Sequence, residues 1–218
     1  MDLSQALEIA SHTDPGMVRS HNEDSIASIP DKGLVVLADG MGGYNAGEVA
    51  SGMATTVLTT ELRQLIGEHA PYEVDPQSGQ KAALKMLQTQ IAKANTSIYQ
   101  ASQSQPQYAG MGTTLVVALF YDNKMMVAHI GDSRLYRMRG DEFSQVSKDH
   151  SLLQEQIDAG MLTKEQASIH RTRIWSRGHW ASMPRWKRRS TNTTPSRATS
   201  ICCAPTGCPT WWATRISA

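Results

Sequence analysis

The chain has 218 residues, of which 40% are hydrophobic and 19% are charged, with 21 Lys and Arg against 20 Asp and Glu. This length and apolar content suit one domain with a real core and exclude a disordered chain, which combines low hydrophobicity with a large net charge. No run of 18 apolar residues occurs, so no membrane-spanning helix is predicted. The first residues show no secretory signal, and we expect a cytoplasmic protein.

The charge is unevenly distributed. Residues 1–170 contain all 20 acidic residues and 12 basic ones, a net charge of −8. Residues 171–218 contain nine basic residues and no Asp or Glu, and they hold all five Trp and all three Cys without any Leu or Val. Such a segment lacks the apolar periodicity of helices and strands. We therefore expect a folded domain over 1–170 and an aberrant, disordered basic tail over 171–218.

Three explanations of this tail compete. Basic residues with interleaved aromatics can bind nucleic acid, and Cys202, Cys203 and Cys208 raise the question of a metal site, although no CxxC pair occurs. The third explanation is a shifted reading frame. Back-translation of 174–183 and 201–215, read two bases out of phase, permits ordinary amphipathic sequence that includes a Ser-Asp-Gly. We favour a frameshift near Arg171, and we do not expect nucleic-acid binding.

The first half of the chain alternates strand and helix patterns. The sequence predicts an edge strand over 8–13 and a buried strand over 33–39, where a continuous apolar run ends in an acid. Apolar residues at helical spacing predict helices over 46–66 and 80–100, with a loop at 71–79 between them.

The pattern then switches to β structure. Four strands are predicted, over 113–121, 125–130, 135–138 and 143–146. Asp122 and Asn123 form the turn between the first two, and Ser151 begins a short helix that Gly160 ends. Strands, two long helices and a meander of strands indicate an α+β fold with helices packed on sheet.

Carboxylates follow the predicted strands, beside glycines. Asp39 ends one strand and precedes Gly40, and Asp132 follows another, while Glu23 and Asp24 are adjacent in the chain. Mg²⁺ and Mn²⁺ take oxygen ligands, and glycine lets a backbone carbonyl approach an ion closely. Nearby, the planar side chain of Arg19 suits bidentate phosphate binding.

Each feature alone also has a structural explanation. An Asp-Gly pair after a strand is often turn chemistry, and residues 132–134 could form a surface ion pair. The glycines after Asp39 do not complete a dinucleotide-binding loop, because Asn45 stands where the third glycine belongs. We interpret His21 and His129 as structural histidines.

The combination is more specific than its parts. Four ordered motifs occur together: Asp14-x-Gly16-x-x-Arg19-x-x-Asn22-Glu23-Asp24, Ala38-Asp39-Gly40-Met41-Gly42-Gly43, Gly110-Met111-Gly112-Thr113-Thr114 and Gly131-Asp132-Ser133-Arg134. Together they resemble the PPM family, the metal-dependent PP2C-like Ser/Thr protein phosphatases, here of the bacterial type. The likeness continues through 148–151 to about His170.

The resemblance implies a PP2C-like β-sandwich flanked by antiparallel helices (αββα), incomplete at the C-terminus in this chain. It implies two Mn²⁺ or Mg²⁺ ions in a cleft, with a third, weaker ion in bacterial members. In the family's pattern one acid bridges both ions, a glycine offers its carbonyl, further acids bind directly or through water, and an arginine clamps the phosphate. The matching residues are Asp39 as the bridge and catalytic residue, Gly40, Glu23 and Asp24 as further ligands, Asp132 for the third ion, and Arg19 as the catalytic phosphate ligand.

The implied reaction is hydrolysis of phosphoserine or phosphothreonine, on protein substrates of a Ser/Thr kinase, by a metal-activated water. Residues 1–170 contain no Cys, which rules out a cysteinyl-phosphate route there. Met41 replaces a histidine that serves as general acid in other members, so the leaving group takes its proton from water or another residue.

The chain departs from the family in its tail. The family supplies further metal carboxylates from a Ser-Asp-Gly segment and a later Asp-Asn segment, whereas this chain has 204–207 at the first and does not reach the second. We therefore expect impaired metal binding. The alternative is a non-catalytic remnant that binds phosphoproteins through Arg19.

Overall fold

The computed structural model describes residues 2–17, 21–43, 45–76, 78–163, 199–204 and 212–216. The strands are β1 Leu7–Ser11, β2 Asp24–Ile29, β3 Leu34–Met41, β4 Gly112–Thr113, β5 Leu115–Tyr121, β6 Lys124–Ile130, β7 Arg134–Arg139, β8 Glu142–Gln145, β9 Thr199–Ala204 and β10 Trp212–Ile216. The α-helices are α1 Ala46–Glu68, α2 Ala82–Ser104 and α3 Leu152–Asp158.

The strands form two antiparallel sheets. The first sheet has the order β2-β3-β5-β6, with β4 added to β3, and the second has the order β1-β10-β9-β7-β8. Strands β9 and β10 belong to the segment for which the sequence predicted a disordered tail. The rest of that segment lies outside the described residues, and a domain boundary at residue 170 stays a prediction.

The first sheet is buried on both faces, which explains its nearly continuous apolar strands. Along β3, Leu34 and Val36 pack against the two long helices, whereas Val35 and Leu37 point toward the second sheet and its buried Leu135. The described residues therefore form three layers, helices on sheet on sheet. This arrangement confirms the predicted α+β sandwich.

Helices α1 and α2 form the outer layer and run antiparallel. An ion pair between Glu61 Oε1 and Lys93 Nζ, at 2.7 Å, joins the last third of α1 to the middle of α2. Small residues such as Ala50 and Ala54 let α1 approach the sheet closely, and Leu58 fills the space beyond them. Among the described helices, none is both long enough and apolar enough to cross a membrane.

Before residue 163, sequence reasoning missed strand β2 and misplaced some boundaries. It did not predict β2, because Asp24–Ile29 is half-buried and mixes polar with apolar residues. It ended the first long helix near Gly67, but α1 continues to Glu68. The predicted Asp122-Asn123 turn is confirmed, since both residues have positive φ angles. The predicted cap is confirmed too, with Ser151 Oγ accepting a hydrogen bond from the Gln154 N–H.

Two histidines join β6 to the segment that follows β8. His129 Nε2 lies 2.9 Å from Gly131 O, and because a carbonyl only accepts hydrogen bonds, this nitrogen carries the proton. The backbone N–H of His150 donates to the same carbonyl at 2.8 Å, and the centroids of the two imidazole rings lie 4.6 Å apart. Burial, followed by the neighbouring His150, lowers the pKa of His129 to about 4. His129 is therefore a structural histidine, as predicted.

The lowered pKa predicts a loss of stability in acid. An unfolded His129 takes up a proton near pH 6.5, whereas the folded one resists until about pH 4, so the free energy of unfolding falls as the pH drops between these values. Gln in place of His129 should make that fall shallower in urea unfolding measured without metal. The exposed His12→Gln substitution should keep the wild-type slope, and an unchanged slope in His129→Gln would contradict the assignment.

Leu58 tests the contact between α1 and the first sheet. The side chain is 0% exposed, so Leu58→Ala should lower the free energy of unfolding by about 2–5 kcal/mol through lost burial and a cavity. The matched control is Thr60→Ala, two residues further along α1 and exposed, which should change it by less than about 0.5 kcal/mol. Equal effects in urea denaturation would show that α1 does not pack as described.

Candidate functional site

Asp24 and Asp39 lie directly opposite each other on β2 and β3. Cβ atoms of such cross-strand pairs are about 4.5–5.5 Å apart, and their side chains point to the same face. Two residues further into the sheet, Ile26 and Leu37 are also opposite each other and pack toward the second sheet. The two half-buried carboxylates therefore lie at the end of the core between the sheets.

The same alignment continues across the first sheet. Leu37 is opposite Val116, and Val116 is opposite His129, so these residues form one row. Every second side chain along a strand points to the same face, so the next row on this face lies two residues further along each strand. This row lies where the sheet ends, and it contains two acids. Its members are Asp24, Asp39, Thr114 and Gly131.

Glu23 is held between the end of β3 and the first turns of α1. The Gly40 N–H donates to Glu23 O at 3.0 Å, and Ser51 Oγ donates to the same carbonyl at 2.6 Å. A Cβ atom at Gly47 would lie 2.5 Å from Glu23 Oε1, and one at Gly40 would lie 2.0 Å from Gly47 O. The Glu23 carboxylate thus contacts the first turn of α1, where the helix dipole favours a negative charge.

Asp132 lies between two residues that contact Thr114. Gly131 has a φ of +95°, and a Cβ atom there would lie 2.8 Å from Thr114 Cγ2. On the other side, Ser133 Oγ lies 2.6 Å from Thr114 Oγ1. Asp132 itself is half-buried. Thr114 in turn is bonded to Asp39, so a short path of contacts connects the two acids.

Arg134 pairs with Asp149. The guanidinium donates from Nε to Oδ1 at 2.9 Å and from Nη2 to Oδ2 at 2.6 Å, and these bonds raise the pKa of Arg134. Together with the bond from the Leu135 N–H to Ser147 Oγ, at 2.9 Å, they attach the 147–151 segment to the turn that carries Asp132. Arg134 therefore has a structural partner from the last part of the motif likeness.

The structure brings some of the predicted site residues together. Asp24 and Asp39 are paired, and Glu23 adjoins Gly40. Within the described ranges, no group of three or more His, Cys, Asp or Glu side chains is arranged to hold a metal ion. A common centre for all the predicted carboxylates therefore stays a prediction. Arg19 lies outside the described residues.

The chemistry of the paired acids nevertheless fits a hard divalent cation. Mg²⁺ is commonly held by only one or two carboxylates while it keeps several waters and binds substrate phosphate. Asp24 and Asp39 provide two carboxylates side by side, both partly exposed to solvent. The strand start is also fixed, because the Asp24 N–H donates to Asn22 Oδ1 at 2.9 Å.

Sequence reasoning did not assign roles to Thr114 and Ser133. Both belonged to recognised motifs, but the candidate ligands were carboxylates and one glycine carbonyl. The signal was available only in combination: Thr114 directly precedes an apolar strand run and follows two glycines, and Ser133 follows a strand-terminal acid. Their contacts with each other depend on strand register, which the sequence does not give directly.

Comparison with known proteins agrees with the predicted family. The family profile described as Protein phosphatase 2C matches residues 11–187. The serine/threonine phosphatase stp of Listeria innocua is 35% identical over 161 residues, which cover 72% of this chain and 60% of that protein. The chain spans about 60% of the length of the curated relatives it matches first.

Solved structures agree as well. A crystal structure of the Mycobacterium tuberculosis serine/threonine phosphatase PstP/Ppp matches with a TM-score of 0.74 at 26% identity, covering 98% of this chain and 100% of that one. A PstP catalytic domain in complex with two manganese ions matches with a TM-score of 0.68 at 29% identity, covering 91% and 76%. These likenesses confirm the PP2C-like fold. The family profile spans most of the sequence, and the chain belongs to the protein phosphatase 2C family.

Proposed function

We propose that the protein hydrolyses phosphoserine and phosphothreonine in other proteins at a site that holds two Mn²⁺ or Mg²⁺ ions. One observation carries the proposal: Asp24 and Asp39 are paired in register at the end of the inter-sheet core. The related PstP catalytic domain, crystallised with two manganese ions, supports the choice of metal. The relatives' names support the substrate class.

Asp39 is best placed to contact both ions. It occupies the middle of its row, with Asp24 opposite on one neighbouring strand and Thr114 bonded on the other. Asp24 and Glu23 would each serve one ion, directly or through water, and Gly40 would offer its carbonyl. Asp132 would serve a third, weaker ion on the far side of Thr114.

When bound, the ions would lower the pKa of a water to make a nucleophile and would neutralise charge on the phosphoryl oxygens. The carboxylates of the chain fix where this happens. Arg19 would orient the phosphate through two parallel N–H···O bonds. Met41 has no proton to give, so the serine or threonine leaving group would take its proton from water or another residue.

Residues 204–207 contain no carboxylate where the family pattern places its Ser-Asp-Gly segment, and 171–218 contain no Asp or Glu at all. The family resemblance implies additional carboxylates from later segments. We therefore infer that this chain binds its metals more weakly than its relatives and needs a higher Mn²⁺ concentration for phosphate release.

Asp39 provides the direct test. Asp39→Asn should reduce Mn²⁺-dependent phosphate release from a phosphothreonine peptide by more than about 100-fold, a larger loss than outer-shell changes typically cause. It should also weaken Mn²⁺ binding in calorimetry. Asp141→Asn, an equal change of charge at an exposed turn, should leave both unchanged.

Three results would count against the proposal. Phosphate release that needs no metal, or that survives Asp39→Asn, would contradict the metal-dependent reaction. Phosphopeptide binding without any phosphate release would favour the non-catalytic alternative.

Gly47 tests the position of Glu23. In Gly47→Ala the new Cβ would lie 2.5 Å from Glu23 Oε1 and 2.9 Å from the Gly40 carbonyl carbon, so the carboxylate has to move. We expect half-maximal phosphate release to need roughly tenfold more Mn²⁺. Gly52→Ala is the matched control, because a Cβ in that part of α1 meets nothing within 4 Å. Identical Mn²⁺ requirements in the two variants would remove Glu23 from the site.

A further inference from the structure

Two hydroxyl side chains connect strand β3 at Asp39 with the turn that carries Asp132. We infer that Thr114 and Ser133 are positioning residues, which fix these two acids relative to each other. The inference rests on the proposed function, in which both acids hold metal ions. It assigns a role to two residues that are not among the proposed metal ligands.

Thr114 completes the strand ladder at Asp39. The Phe120 N–H donates to Gly33 O, and hydrogen-bonded pairs recur at every second residue, so Asp39 and Thr114 form such a pair. The Thr114 N–H donates to Asp39 O at 2.8 Å, as the ladder requires. In the other direction, the Asp39 N–H donates to Thr114 Oγ1 at 3.1 Å. Thr114 thus holds both backbone polar groups of Asp39.

The Asp39 N–H is thus bonded to the Thr114 hydroxyl and not to the Thr114 carbonyl, which interrupts the regular ladder at this point. The Thr114 carbonyl accepts instead from Thr113 Oγ1, at 2.9 Å. The side chain of Thr114 therefore occupies a place that the backbone fills elsewhere in the ladder. Its position determines the backbone of Asp39, and with it the origin of the Asp39 carboxylate.

Thr114 also contacts the turn that carries Asp132. Thr114 Oγ1 lies 2.6 Å from Ser133 Oγ, and Ser133 is 0% exposed. The Thr114 methyl lies against Gly131, where a Cβ would be only 2.8 Å away. Thr114 thus contacts both chain neighbours of Asp132, one with its hydroxyl and one with its methyl. A shift of Thr114 would move Asp39 and Asp132 together.

The hydroxyl is the part that connects the two sides. A hydroxyl has one proton and two acceptor sites, so Thr114 Oγ1 can accept from the Asp39 N–H while it exchanges a second hydrogen bond with Ser133. Valine keeps the shape of Thr114 but cannot make either bond. Alanine at 133 removes only the second bond.

Mn²⁺ binding by the full chain tests the role. By calorimetry with Mn²⁺ alone, Thr114→Val and Ser133→Ala should each weaken binding roughly 10–100-fold, as losses of ligand-orienting partners do. Thr114→Ser, which keeps the hydroxyl, should stay closer to the wild type than Thr114→Val. The Thr114→Val and Ser133→Ala double variant should be weaker by less than the product of the single effects, because both remove the same bond.

Hydrogen exchange without metal gives an independent readout. Thr114→Val and Ser133→Ala should each speed exchange in the peptides that contain Asp39 and Asp132, since β3 and the turn at Asp132 lose a shared contact. Ile91→Val, a small core change in α2, should destabilise the protein without selectively speeding these two peptides.

The outcomes are separable. Wild-type Mn²⁺ affinity and unchanged exchange in Thr114→Val and Ser133→Ala, or effects that multiply in the double variant, would overturn the inference. If the wild-type chain binds no Mn²⁺, the proposed function fails. Hydrogen exchange in the peptides that contain Asp39 and Asp132 then decides by itself whether the hydroxyl pair couples β3 to the turn at Asp132.

Discussion

The register of β3 against its neighbours is the constraint on which the rest depends. Asp39 is opposite Asp24 only because Leu37 is opposite Ile26, and Thr114 is opposite Asp39 only because Val116 is opposite Leu37. A slip by one residue would turn every side chain to the other face of the sheet. Both faces of the first sheet are closely packed, one against the helices and the other against the second sheet, and this packing opposes such a slip. Core packing therefore positions the acids.

The close contact of α1 with the strand ends imposes a second constraint. Gly40 and Gly47 meet with no space for a side chain, and the Glu23 carboxylate lies over this contact. Ser25 Oγ and Thr55 Oγ1, 2.7 Å apart, hold β2 against the same helix further along. The small residues of the motif around Gly40 thus serve packing as well as any carbonyl ligation. A helix held further from the sheet would leave Glu23 without this support.

Most of the fold could be predicted from the sequence, but the connections within the site could not. The apolar run before Asp39 and the helical spacing after Ala46 identify β3 and α1, because burial determines both patterns. β2 escaped prediction because its edge position leaves Asp24–Ile29 half-buried. The candidate acids followed from residue type and motif. The bridge through Thr114 and Ser133 did not, since it joins residues distant in sequence through a pairing that only the folded sheet shows.

The two sheets also depend on different parts of the chain. Among the described strands, those of the first sheet lie within residues 24–130, whereas in the second sheet β10 and β9 lie between β1 and β7. A change of reading frame near residue 171 would alter β9 and β10 of the second sheet and leave the first sheet's own sequence intact. The second sheet covers Val35 and Leu37, so such a change would reach the site through the stability of the inter-sheet core. Local geometry at Asp39 and global stability are therefore separable properties of this chain.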